Sequence, residues 1–326
     1  MPDFLSTIVE KHTQVSPGFV ESLVRTQREE LFTGLMRLRY PSHEDLVLVF
    51  LEGNQQKLYR FIENQTDIVS RQSWPNYLNQ PDASVGLMGL SVEAVRLLRV
   101  AYEASIKHVD AETLSCTELA EKVSNWVVDS LPSVIHVQAE NVNALYLISG
   151  NSTPVIEELT FTAGKSRFSI SDASFPLSLP NLNFQVTRYV SEPEHELWQE
   201  HQLRLAFNPL MRMLFIRFSE LAGRVLTERL CEQLAIWARD GGLDMTVTGN
   251  GISNQHYFDS LASASDAYVG LLRRFHSEAT PAIGARMSDG ISRDVLSRLD
   301  PHRREILTHH IFDKYRQEDT VVRAWR

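Results

Sequence analysis

Apolar and polar positions alternate with a period of two near the start of the chain. In residues 35–40, Met36, Leu38 and Tyr40 share one side while Arg37 and Arg39 take the other, which predicts a half-buried strand. Residues 46–51, LVLVFL, are apolar on both sides, as a central strand covered on both faces must be. Residues 57–62 form a third run, with Lys57 and Arg60 interspersed. PSHED and Glu52-Gly53-Asn54 supply the turns, so the pattern predicts a three-stranded antiparallel meander over 35–62. The same order returns over 134–163. Val134, His136 and Gln138 alternate with Ile135, Val137 and Ala139, then ALYLI at 144–148 is apolar throughout, and 157–163 alternates again. The two copies are expected to meet, as two small sheets or as one larger mixed sheet.

Around these strands the period changes to that of a helix. Ser16-Pro17 is a helix start, with a hydroxyl cap and proline in the first turn, followed by Phe19, Leu23, Val24 and Leu31. Ser91 is placed to cap a helix carrying Val95, Leu98 and Tyr102. Ser115-Cys-Thr-Glu118 is a capping box that opens another helix, with Leu119, Val123, Trp126 and Val127 as its stripe. The Ser/Pro/Asn-rich stretch 171–183 reads as a linker. Beyond it Asn208-Pro209 restarts a helix that runs to WARDGG, 259–277 is helical, and Asp300-Pro301 starts a final helix. The expected class is therefore α+β, with antiparallel β-meanders and flanking helices in the N-terminal half and a mostly α-helical C-terminal half. The domains expected are 1–180 and 181–326.

Composition narrows the partners more than the chemistry. With 326 residues, 43% of them hydrophobic, the chain is long enough for two or three cores. A net charge of −9 argues against nucleic acid as a partner, which needs a clustered basic face. Cys116 and Cys231 have no neighbouring cysteine, which fits two core thiols in a reducing cytoplasm. MPDFLSTIVEKH has neither the basic nor the apolar region of a signal peptide, and the apolar runs are far shorter than a membrane span. The sequons at Asn64 and Asn151 therefore carry no message.

Catalytic and ligand motifs are weak. In HELWQEH, 195–201, position 199 is glutamine, and His195 and His201 diverge by roughly 120° round a helix, so an exposed helix start is the expected reading over a metal site. GNGISN at 249–254 lacks the third glycine of a dinucleotide loop and reads as a tight turn. The adjacent His309 and His310 point in different directions on a helix, and Cys116 has no histidine near it in sequence. No P-loop and no nucleophile elbow occurs. No catalytic, cofactor-binding or metal residue is assigned.

Residues 16–80 do resemble a known module. The helix PGFVESLVRTQREEL, then FTGLMRLR, a polar turn, LVLVFLEGNQQKLYRF and a downstream SWPNYL are similar to the PATAN type of domain of bacterial signalling and response-regulator proteins. Phe32, Thr33, Gly34 and Gly53 match its pattern, while the insertion of NQQ after Gly53 departs from it. The resemblance implies a non-catalytic regulatory module acting through protein contacts, and it offers nothing for residues 181–326. The expected function is thus a cytoplasmic bacterial regulatory adaptor with a protein partner, without nucleic acid or membrane, and with room for a homo-oligomer. Arg37, Arg39 and Trp74 are its candidate contact residues, since Arg and Trp recur at interface hot spots. The alternatives are a small-ligand sensor with a pocket between the two β halves, or an enzyme built from His195, His201, His309 and His310. The second face of 46–51 also needs apolar cover, and the chain's own flanking helices are its expected source.

Overall fold

The computed structural model describes residues 8–42, 44–62, 65–128, 132–140, 142–148, 155–162, 165–172, 182–254, 256, 258 and 260–316. Asn64, Asn151, most of the 171–183 stretch and part of the PSHED turn lie outside the described residues. By its internal contacts the chain divides into two units, Met1–Pro193 and Glu194–Arg326.

In the first unit, strand β1 (Glu10–Val15) leads into helix α1 (Pro17–Glu29). The Ser16 hydroxyl accepts from the Phe19 amide at 3.3 Å and satisfies one free donor of the helix start. The meander follows as β2 (Gly34–Arg39), β3 (Asp45–Leu51) and β4 (Asn54–Ile62), extended by β5 (Gln65–Ile68). The β3–β4 turn holds Glu52 and Gly53 at φ +48° and +77°, the doubly left-handed geometry of a two-residue hairpin. A Cβ on Gly53 would lie 2.5 Å from the Arg28 carbonyl oxygen, so only glycine fits beside α1. After helix α2 (Trp74–Leu78), strand β6 (Ala83–Gly89) returns between β1 and β2, giving the order β1-β6-β2-β3-β4-β5. Helix α3 (Val92–Arg99) then continues as a π turn over Val100–Ala104.

The second half of this unit repeats the first. Strand β7 (Ser105–Ser115), helix α4 (Cys116–Val128), the meander β8 (Ser133–Ala139), β9 (Val142–Ile148) and β10 (Val155–Thr162), then β11 (Lys165–Asp172) and β12 (Asn183–Ser191) make a second antiparallel sheet. Its order, β11-β10-β9-β8-β12-β7, is that of the first sheet read from the other end. The meanders therefore lie in two separate six-stranded sheets. Residues 183–191 form an inner strand of the second rather than the start of a helical region. In each half the strand that comes last in sequence inserts beside the first and second. Sequence repeats at matching places: Leu51-Glu-Gly-Asn54 against Ile148-Ser-Gly-Asn151, and Leu98-Arg-Val-Ala-Tyr102 against Leu203-Arg-Leu-Ala-Phe207 in the helix that follows the last strand.

Cover for β3 comes from the chain itself. Leu46, Leu48 and Phe50 face a core that includes Val20, Trp74 and partly buried Leu23 and Val24 from α1 and α2. On the other side Val47 and Val49 are buried, and Tyr59 and Phe61 beside them each meet the Tyr102 ring at 5.2 Å. The helix α3 contacts β3 of one sheet and β10 of the other. Its residues Ala94–Leu98, with Val100, Ala101, Tyr102 and Ala104 of the π turn, are buried on every side, as a helix covered all round must be. In the second sheet, Ile135, Val137, Tyr146 and Ile148 pack with Leu119 and Val123 of α4.

The second unit is mainly helical. It contains α5 (Glu196–Ala222), α6 (Arg224–Asp240), the two-stranded ribbon β13 (Met245–Thr248) and β14 (Gly251–Asn254), α7 (Leu261–Ile283), α8 (Ala285–Arg298), and α9 (Pro301–Leu307) with a π turn over Thr308–Phe312. Phe207, Phe215, Phe218, Leu234, Tyr268, Phe275 and Val295 form one core, with the Phe207 and Tyr268 rings stacked at 4.2 Å. Asn208-Pro209 does not start a helix, because α5 runs through Pro209 from a start capped by His195. That start is buried, not exposed: Leu197, Trp198, Glu200, His201 and Gln202 are all inside. None of the helices described is long and apolar enough to cross a membrane.

Candidate functional site

The ribbon of the second unit borders a concave surface. Met245 pairs with Asn254, Thr246 with Ser253, Val247 with Ile252, and Thr248 with Gly251. Strand alternation turns Met245, Val247 and Ile252 into the core. Asn254 is buried with them and donates to the Tyr268 hydroxyl at 2.6 Å, which ties the ribbon to α7. The opposite face therefore presents the exposed residues Thr246, Thr248 and Ser253. At the turn the Thr248 hydroxyl accepts from the Asn250 amide at 3.3 Å.

Beside that hydroxyl face lies one flank of α5, with Asn208, Pro209 and Arg212. Asn208 and Arg212 are four residues apart and so share a side of the helix. Between ribbon and helix is a groove of about 410 Å3. A second depression of about 570 Å3 lies between Phe215, Ile216 and Ser219 of α5 and Arg224, Thr227 and Glu228 of α6. Gly249 and Asn250 at the ribbon tip border it. At the corner between these helices Gly223 takes φ +85°, and Ile216, Leu221, Val225 and Leu226 are exposed.

The candidate contact residues and the histidines singled out from the sequence do not line this groove. Arg37 is only 3% exposed and donates from Nε and Nη2 to both oxygens of Asp45, each at 2.9 Å. Trp74 is buried, with its indole N–H donating to the Val69 carbonyl at 2.9 Å. Of the three proposed contact residues, only Arg39 has about half its side chain in solvent, and it pairs with Glu10 and Asp45. Strand parity placed both arginines opposite the α1 face, but Arg37 is buried there, paired with Asp45. His195 caps α5 by accepting from the Leu197 amide, while the buried His201 accepts from Arg204. His309 and His310 lie in the π turn, where burial lowers the pKa of His310 and His309 lowers it further. Among the described residues no three His, Cys, Asp or Glu side chains converge as metal ligands. Cys231 is buried and its thiol is pushed up to about 11, chiefly by burial and then by Glu228 and Glu232.

No family model, curated protein or solved structure matches the chain. The groove itself escaped sequence reading because it joins α5 to a ribbon some forty residues away. The one local signal was the alternation of Thr246, Thr248 and Ser253 with buried residues in MTVTGNGISN.

Proposed function

We propose that the protein is a non-catalytic regulatory adaptor that works through protein contacts, of the bacterial signalling kind that its PATAN-like stretch implies. The observation that carries this reading is the apolar corner between α5 and α6. Leu221 is 51% exposed and Val225 78%, and Ile216 and Leu226 of the same two helices are exposed too. Large aliphatic side chains grouped in this way mark a surface that gains by being covered. A partner's apolar helix face docked against the corner would bury them in the manner of helix-in-groove recognition. The ion pairs Arg217–Glu220 and Arg224–Glu228 border the corner and are already satisfied within the chain. They would set orientation more than affinity.

The test is a photo-crosslinking amino acid placed at Val225 and, as control, at the equally exposed Arg239, in cells that make the protein. A discrete adduct at position 225 alone is expected. The same adducts at both positions, or none at either, remove the reading.

A further inference from the structure

The groove between α5 and the ribbon has the chemistry of a ligand site rather than of a protein contact. Its walls carry three hydroxyls, from Thr246, Thr248 and Ser253, and the side-chain amides of Asn208 and Asn250. Arg212 brings the single charge, since no acidic residue lines the groove. Arg212 is exposed and, among the described residues, has no ion pair. Several other arginines of this unit pair with acids: Arg217 with Glu220, Arg224 with Glu228, Arg274 with Glu278, and Arg298 with Asp294. In a chain of net charge −9, a guanidinium without an acidic partner and beside three hydroxyl groups offers an anion a local positive charge.

Two further features fit a built site. Gly251 stands at φ +128°, and a Cβ there would meet the Cβ of Arg212 at 3.4 Å. The positive φ favours glycine at this point, and a side chain there would lie in contact with Arg212. The Asn208 side-chain oxygen is buried without a hydrogen-bond partner in the groove wall. A buried polar atom without a partner is destabilising, and a ligand hydroxyl would give it one.

We propose that this groove binds a small polyhydroxylated anion, a sugar phosphate or sugar acid. Arg212 pairs with its phosphate or carboxylate, and Thr246, Thr248 and Ser253 hydrogen-bond its hydroxyls. The guanidinium fork matches either oxyanion. The volume is in the range of small-molecule pockets. The groove adjoins the depression beside the apolar corner and shares Asn250 with it, so its test uses small-molecule probes alone, with no protein partner present.

Isothermal titration calorimetry of the full chain decides it, with three probes of one carbon skeleton: glucose 6-phosphate, gluconate and glucose. Saturable binding of glucose 6-phosphate or gluconate is expected, with glucose silent, and the probe that binds identifies the anion. Arg212→Met is expected to weaken binding by about tenfold or more, as loss of a charge-assisted hydrogen bond does, and Arg212→Lys to restore part of it. Thr246→Val, an exposed substitution that leaves the core alone, is expected to weaken binding a few-fold. The proposal is overturned if neither anion binds, if Arg212→Met binds as well as the parent chain, or if glucose binds as tightly as its phosphate.

Discussion

Two polar pairs occupy matching places in the two sheets. In the first, Arg37 lies opposite Val47, and Asp45 opposite Arg39 and Phe61. In the second, His136 lies opposite Leu145, and Asn143 opposite Gln138 and Phe161. Each pair joins diagonal neighbours across the first and second strands of its meander: Arg37 to Asp45, and His136 Nε2 to Asn143 Oδ1 at 2.8 Å. A buried ion pair adds little net stability over apolar residues of similar volume, but removing one partner strands the other's charge. Asp45→Ala is accordingly expected to destabilise the first unit by about 3 kcal/mol in urea unfolding. The double change Arg37→Met with Asp45→Leu is expected to stay within about 1 kcal/mol of the parent chain. An additive double mutant would contradict this. The alternation of Arg37 with Met36 and Leu38 made its side of the strand legible. Its burial was not legible, because the carboxylate that receives its guanidinium comes from the neighbouring strand.

Among the elements, those with local signals were the readable ones. The capping box at Ser115 is present as its spacing suggests: the Ser115 amide donates to Glu118 Oε2 at 2.8 Å, and the Glu118 amide to the Ser115 hydroxyl at 3.4 Å. These bonds from the Ser115 amide and hydroxyl hold the Glu118 carboxyl below its usual range. A depressed carboxylate stabilises fully above its unfolded pKa, and that contribution fades as pH falls through the folded value. Ser115→Ala is expected to cost about 1 kcal/mol at neutral pH. Its difference from the parent chain should shrink on acidification below about pH 4, where Glu118 becomes protonated. Equal differences at pH 7 and pH 3 in thermal melts would exclude the box as the cause. Strands β6 and β12 were not readable. ASVGLMG carries two glycines, and NFQVTRYVS mixes polar with apolar residues. Each becomes an inner strand only because distant neighbours pair on both sides, β1 and β2 in one case and β7 and β8 in the other. Asn208-Pro209 misled for a related reason, since its continuous helix is held by the core on either side of the proline.

For the first unit as a whole, the repeat matters more than either sheet. Its alternation was visible in the sequence, but the shared six-strand order depends on non-local pairing that no window reveals. Because α3 meets both sheets, neither half is closed without the other. A chain ended at Ala104 would leave one side of α3, including residues such as Leu97, Leu98 and Ala101, without its cover. Such a fragment is expected to associate, as a dimer or larger species, when its mass is measured by light scattering after gel filtration. A stable monomer would show that α3 does not depend on the second half.

The joining of the halves in one polypeptide has a consequence for how they can change. In an assembly of identical subunits every substitution appears on both sides of the symmetry axis, so a residue must suit both places at once. Here each side mutates alone. The two sheets accordingly hold different groups at the same place, a guanidinium on a carboxylate in one and an imidazole on an amide in the other.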